Sequence, residues 1–283
     1  MTDQQSGILR AITDDHAFRV ITLGTTAAAR GVVAAQRAEG ELASYLADLV
    51  TGTILIRETM APQYRVQGIV RARRGALIAD SHPSGDVRGL VQLGPGSDPL
   101  DLGAGATLQM MRTLANGAIQ QGLVGFPEQG GISEALMAYM QSSEQVTSVV
   151  AVDAIVGEDG LVGAGGYMVQ LLPDAKQESL RTMIERLEGF GRLEPRLRSA
   201  DFSAQSLLGQ LLAGIPHSPV GAGEVRSHCW CDEVRVMSAL ATLKRGDLEE
   251  LVNAREPISL SCDYCRREYR IQPAQLKGLL EQS

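Results

Sequence analysis

Four cysteines carry the chemistry this sequence offers. Cys229 and Cys231 flank Trp230, and after 30 intervening residues Cys262 and Cys265 flank Asp263 and Tyr264. All four fall in the last 55 residues of a chain of 283. Thiolates that arrive as two close pairs suit tetrahedral Zn²⁺, which takes four sulfurs at about 2.3 Å in a closed structural site. A segment this short buries too little apolar surface to be securely stable alone. Structural zinc supplies the difference, about 10–16 kcal/mol at neutral pH. The spacing therefore predicts one Zn²⁺ per chain in the reduced state, on Cys229, Cys231, Cys262 and Cys265, in preference to four incidental buried cysteines.

The first pair is unusual, because ordinary zinc ribbons repeat Cys-x-x-Cys. A disulfide between Cys229 and Cys231 would close a cramped ring, and strained disulfides are the labile, regulatory kind. Zinc-bound sulfurs are already thiolates, so an oxidant finds them poised to react. Two readings stay open on spacing. The site is a switch between a reduced, metal-bound, folded segment and an oxidised, metal-free, unfolded one, or it is a permanent knuckle. Arg235, Arg266 and Arg267 lie close in sequence and could offset the charge of the site, although solvated surface charge is the plainer reading. His228 precedes Cys229, but four sulfurs suffice; His16, His82 and His217 show no metal spacing.

The elements that must position this site follow from periodicity. Phe18–Leu23 reads as a strand, and Leu42, Tyr45, Leu46, Leu49 and Val50 form one helical face. Tyr64–Val70, Ala76–Ala79 and Val87–Leu93 read as short strands, broken at Pro83-Ser84-Gly85 and Pro95-Gly96-Ser97. Ser133 is expected to cap a helix through Met140, and Val146–Val156 and Tyr167–Leu172 read as buried strands. These runs predict α+β: an N-terminal α/β domain over 1–173, with β-sheets and packed helices. From 174 to 222 the pattern is helical, with one stripe of Leu180, Met183, Ile184 and Leu187 and another of Leu207, Leu208, Leu211, Leu212 and Ile215. The stripes either pack on the sheet or become exposed under some condition. Pro216, Pro219, Gly221 and Gly223 mark the boundary before a small zinc-binding domain over 223–283. That domain holds a helical stretch from Val234 to Ala254 and a last helix after Pro273.

Composition narrows the function. Lys and Arg number 26 against 33 acidic residues, a formal charge of −7, and aromatics are 4%. Nucleic-acid and anionic-membrane binders need a basic face, and base-stacking needs aromatics. Residues 1–16 lack an apolar run, and the most apolar stretch, Tyr45–Ile56, is interrupted by Asp48. A cytoplasmic address with reduced thiols is the expectation. No His-Glu-x-x-His, Walker A loop or Gly-x-Ser-x-Gly occurs, so no enzyme is expected and no catalytic residue is named. The glycine-rich stretch Gly122–Gly131 before a helix hints weakly at a phosphate site but reads better as a turn.

Cys229-Trp230-Cys231 and Cys262-Asp263-Tyr264-Cys265 near the C-terminus resemble the redox-regulated heat-shock chaperone family of thirty-three kilodaltons, the 33 kDa chaperonins. Two upstream segments are similar to that family's N-terminal domain: Ser143-Glu144-Gln145-Val146-Thr147-Ser148, and Ala164-Gly165-Gly166-Tyr167-Met168-Val169-Gln170 leading into Leu171-Leu172-Pro173. The resemblance implies an ATP-independent holdase, zinc-bound and monomeric when reduced. After oxidation with mild unfolding, it implies disulfides Cys229–Cys231 and Cys262–Cys265, a homodimer, and capture of unfolded client proteins through the destabilised linker. Many members have glycine after the second pair, where this chain has Arg266; glycine would ease a left-handed turn there. Trp230 is bulky and is expected to slow or bias oxidation of the first pair.

The alternative is a zinc-ribbon module binding nucleic acid or protein. Arg266, Arg267, Tyr269 and Arg270 favour it, while the acidic whole and the Cys-x-Cys pair oppose it. A zinc deaminase would need an open fourth position, and a thioredoxin-type enzyme would need a βαβ frame around Cys262 and Cys265.

Overall fold

The computed structural model describes residues 6–94, 100–103, 105–128, 130–254 and 256–282. The expected break at Pro95-Gly96-Ser97 lies outside them. The chain forms two compact units, Met1–His228 and Cys229–Ser283.

In the first unit, β1 (Gly7–Thr13) and β2 (Phe18–Gly24) make a hairpin that leads into α1 (Thr26–Gln36) and α2 (Gly40–Glu58). Strands β3 (Arg65–Ala72), β4 (Gly75–Ser81) and β5 (Asp86–Leu93) follow, then β6 (Thr107–Thr113) and β7 (Ile119–Gly125). Helix α3 (Ile132–Tyr139) runs on into a π-helical turn, Met140–Glu144, before β8 (Ser148–Gly157) and β9 (Gly160–Leu171). Helices α4 (Gln177–Phe190), α5 (Glu194–Leu197) and α6 (Ala204–Leu211) precede β10 (His217–Glu224) and the short β11 (Arg226–Ser227). One sheet has the order β10-β1-β2-β9-β8 and the other β11-β5-β4-β3-β6-β7. The mixed α/β class expected from periodicity is the class observed.

Helix α2 explains why both sheets hold together. It packs on β8 and β9 of one sheet and on β3, β4 and β5 of the other. From Leu49 to Glu58 every side chain is therefore buried, which is more than the single apolar face expected from Leu42–Val50. Leu42 and Tyr45 are only partly buried. Contact is close: a Cβ on Gly68 of β3 would sit 2.4 Å from Thr53 Oγ1, so only glycine fits there.

Helices α4–α6 cover the opposite face of the first sheet. Met183, Phe190, Leu193, Leu197, Leu207, Leu208 and Leu211 bury against Phe18, Val20, Tyr167 and Val169. Tyr167 meets Phe190 edge to face at 5.6 Å. The second helical stripe is thus buried, whereas Leu180 and Ile184 of the first stripe stay exposed.

Several local expectations differ from the structure. Ser133 does not cap α3. Glu134 accepts the Gly131 N–H at 2.7 Å instead, and the Ser133 hydroxyl exchanges two hydrogen bonds with the backbone of Val152. Gly122–Gly125, read as part of a turn, belongs to strand β7. Strands β1 and β6 also lie where the sequence showed no clear alternation. The Pro- and Gly-rich stretch 217–224 forms strand β10, paired with β1 across a bulge at Arg10/Ala11. Among the described residues, no helix is long and apolar enough to cross a membrane.

Among the described residues, two buried side-chain oxygens have no hydrogen-bond partner, Thr53 Oγ1 and Asp48 Oδ1. Asp48 on α2 leaves Oδ1 without a hydrogen bond, and burial, with the Asp153 carboxylate nearby, raises its pKa well above the usual carboxylate value. Because the native value is raised, the favourable neutral form is fully present below the unfolded carboxyl's range. Its contribution is lost as pH rises through the native value. Asp48→Asn keeps the site neutral at every pH. The melting temperature of Asp48→Asn relative to wild type, followed by circular dichroism, is expected to rise as pH increases above the range in which an unfolded aspartate ionises, about pH 4. A difference that does not change with pH would contradict an ionising Asp48.

Candidate metal centre

The second unit contains α7 (Glu233–Leu240), α8 (Arg245–Asn253), β12 (Ile258–Ser261), β13 (Glu268–Ile271) and α9 (Pro273–Gln282). The expected single helical stretch Val234–Ala254 is two helices, interrupted at 241–244. Only Leu240, Leu248, Ile271 and Leu276 are buried apolar side chains here among the described residues.

Each cysteine pair sits where a backbone turn is fixed. Cys229 and Cys231 lead into α7, whose cap Asp232 accepts the Arg235 N–H at 2.7 Å. Cys262 and Cys265 form the tip of the β12–β13 hairpin. There the Cys262 N–H donates to the Arg267 carbonyl at 2.9 Å, and the Arg266 N–H returns to the Cys262 carbonyl at 2.8 Å. Arg266 takes φ 60°, the left-handed region, so the position after the second pair does need the conformation that glycine would adopt freely.

These turns bring four sulfurs together. The Sγ atoms of Cys229, Cys231, Cys262 and Cys265 all lie within 4.8 Å of one another. Cys229 is 3.8 Å from Cys262, and Cys231 is 3.4 Å from Cys265, so close contacts join the two pairs. Zn–S bonds of about 2.3 Å at tetrahedral angles place sulfurs about 3.8 Å apart. The all-sulfur donor set also suits a soft, closed site. The residues present fit the metal. The cluster contains no histidine, and the four thiols are free of disulfides.

Sequence reasoning valued Tyr269 only as a nucleic-acid contact. In the structure its hydroxyl donates to Cys231 Sγ at 3.0 Å. Burial pushes the Cys231 thiol up, but the hydrogen bonds from Tyr269 and the neighbouring thiols outweigh it and bring the pKa down to about 7. Cys265 moves the other way: burial and the proton it shares with Cys231 push it up to about 12. Donation to Cys231 likewise raises Tyr269 to about 12. Two sulfurs this close do not both ionise freely without a cation between them. Of the three nearby arginines, Arg267 lies beside Tyr269 and the sulfurs of Cys231 and Cys265, which strengthen its hold on its proton. Arg235 pairs with Asp232 on the surface.

Residues 6–272 match the Hsp33 protein family. The chain belongs to that family. A 33 kDa chaperonin of Streptococcus sanguinis is 26% identical over 288 residues, covering 96% of this chain and 98% of the relative. One from Syntrophotalea carbinolica is 27% identical over 285 residues with the same coverage. The crystal structure of the 33 kDa chaperonin from Thermotoga maritima superposes with a TM-score of 0.85 at 20% identity, covering 98% of both chains. That likeness shows the fold. Membership makes this Hsp33-family protein a chaperone, whose partners are unfolded client proteins.

Outer-shell donors to metal-bound ligands are worth tenfold or more in affinity. Tyr269→Phe is therefore expected to weaken zinc about tenfold in chelator competition; unchanged affinity would remove the hydroxyl from the site. Arg266→Gly relieves a left-handed side chain and should stabilise the zinc-loaded C-terminal unit by about 1 kcal/mol in denaturant titration. A destabilised variant would contradict strain at that position.

Proposed function

We propose that this chain is an ATP-independent holdase whose activity is switched by the redox state of Cys229, Cys231, Cys262 and Cys265. The observation that carries the reading is four sulfurs within 4.8 Å in a unit with so small an apolar core. One bound Zn²⁺ per reduced chain would keep all four sulfurs as thiolates and tie the two loops together. Oxidation then forms Cys229–Cys231 and Cys262–Cys265. Each pair of thiolates gives two electrons to one peroxide molecule, whose O–O bond breaks and, with two protons taken from solvent, yields two waters as one S–S bond forms. Either bond takes two sulfurs out of ligation and removes the folding energy the site supplies.

Residues 174–222 act in this reading as the helical linker between an N-terminal domain over 1–173 and a redox-switch domain over 223–283. Loss of the C-terminal fold destabilises the linker. The apolar residues of α4–α6, and the Phe18, Val20, Tyr167 and Val169 face beneath them, are then the surface offered to clients. The reduced chain is a monomer and the oxidised chain a homodimer, in the cytoplasm. No bond in the client is made or broken, so no catalytic residue is assigned.

The zinc-loaded, reduced protein is expected to leave aggregation of a heat-unfolded client unchanged, and the peroxide-treated protein at raised temperature to suppress it. Equal inactivity in both states, with zinc retained, would reduce the cysteines to a permanent knuckle and favour a zinc-ribbon binding module. A salt-dependent shift with RNA or DNA would then identify its partner.

A further inference from the structure

The two large sheets of the first unit treat their edges unequally. Strand β10 carries Pro219 and a bulge against β1, both of which spoil pairing with a further strand. The outer side of β8 is covered: Ser133 bonds both polar groups of the Val152 backbone, and the Ser44 hydroxyl donates to the Ala154 carbonyl at 3.1 Å. The outer side of β5 is met by β11 and by Gln36, which accepts the Val91 N–H at 3.0 Å. Among the described residues, strand β7 ends its sheet with none of these devices. Its seven residues, Ile-Gln-Gln-Gly-Leu-Val-Gly, include no charge and no proline, and its pairing with β6 runs from Ile119 to Gly125 without a register shift.

The two faces of β7 differ as well. A Cβ on Gly122 would meet Ser143 and Tyr139, so the even-numbered face turns toward α3 and the π turn. Arg112, opposite Gln120, points to that same side and pairs with Glu144. On the other face Ile119 and Leu123, four residues apart with Gln121 between them, are 58% and 63% exposed. Their cross-strand neighbours on β6 are Thr113, Met111 and Gln109. This face of the two outermost strands is free of charge.

We propose that the open edge of β7 binds an extended, uncharged segment of an unfolded client by strand addition, with Ile119 and Leu123 packing against apolar side chains four residues apart on that segment. The proposal rests on the chaperone reading above. A strand edge recognises backbone N–H and C=O groups, which every unfolded chain presents whatever its sequence, and the lack of charge on β7 matches apolar stretches exposed by unfolding. A single seven-residue strand is a weak contact by itself. Joined to the apolar surface freed from 174–222, it adds a second attachment to the same client chain, which raises avidity without any new contact elsewhere.

The test uses the full chain, oxidised, with thermally unfolded luciferase and with reduced, carboxymethylated α-lactalbumin as permanently unfolded probe. Ile119→Lys/Leu123→Lys places two charges on exposed positions, so zinc content in the reduced state and the unfolding midpoint should match wild type. Suppression of luciferase aggregation is expected to fall about tenfold, a loss of about 1.4 kcal/mol of client affinity. A photo-crosslinking residue at Gln121 should capture α-lactalbumin, while the same residue at Val162, exposed on β9, should not. Unchanged suppression by the double variant beside an active wild type would overturn the strand-addition proposal and leave the chaperone reading standing. Crosslinking at Gln121 only to a second copy of this chain would overturn it too, making β7 a dimer contact. A wild type that fails to protect luciferase after oxidation would instead overturn the chaperone reading, and this proposal with it.

Discussion

Four cysteine sulfurs within 4.8 Å of one another set the constraint on the C-terminal unit. As thiols they compete for protons, and as thiolates they repel. The opposed behaviour of Cys231, drawn down, and Cys265, pushed up, is the signature of that competition. A divalent cation at their centre resolves it. The unit offers little apolar surface in place of such a cation, because among its described residues only four apolar side chains are buried. On the proposed reading the sulfurs that supply folding energy through a bound cation are also the atoms that meet the oxidant, so stability and sensitivity to oxidant would reside in one cluster.

The first unit is built on the opposite plan. Helix α2, buried between two sheets, gives it a continuous apolar core that needs no metal. Helices α4–α6 lie on the far face of the first sheet, where a second apolar cluster forms between them and β2 and β9. The chain's first unit thus holds two separate apolar clusters, one around α2 and one under α4–α6. On the proposed reading this division lets one chain unfold in part and keep a framework that presents apolar surface. The partial exposure of Leu180 and Ile184 on α4 suits a layer held less firmly than the core.

Much of the site was legible because metal ligation is written in residue type and spacing. The pairing of cysteines predicted the cluster, and the glycine that the resembled family often carries where this chain has Arg266 suggested a left-handed turn, which Arg266 adopts without it at φ 60°. Tyr269 was not legible as a sulfur partner. It lies four residues beyond Cys265, and only the β12–β13 hairpin returns its hydroxyl to Cys231. Local alternation found β2, β3, β4 and β5 but missed β1, β6 and β7; for β7 the reason is plain, since an edge strand exposed on both faces has no apolar rhythm to read. Ser133 misled for a similar reason: a helix cap and a bridge to a neighbouring strand demand the same residue, and only tertiary pairing with Val152 distinguishes them.

The most direct test of this account is amide hydrogen exchange on the full chain, compared between the zinc-loaded, reduced protein and the same protein after peroxide treatment. The account predicts that protection over residues 229–282 is lost together with zinc, while β3, β4 and α2 stay protected. Protection of 229–282 that survives complete loss of zinc would contradict it, because the sulfur cluster would then not be what holds that unit folded.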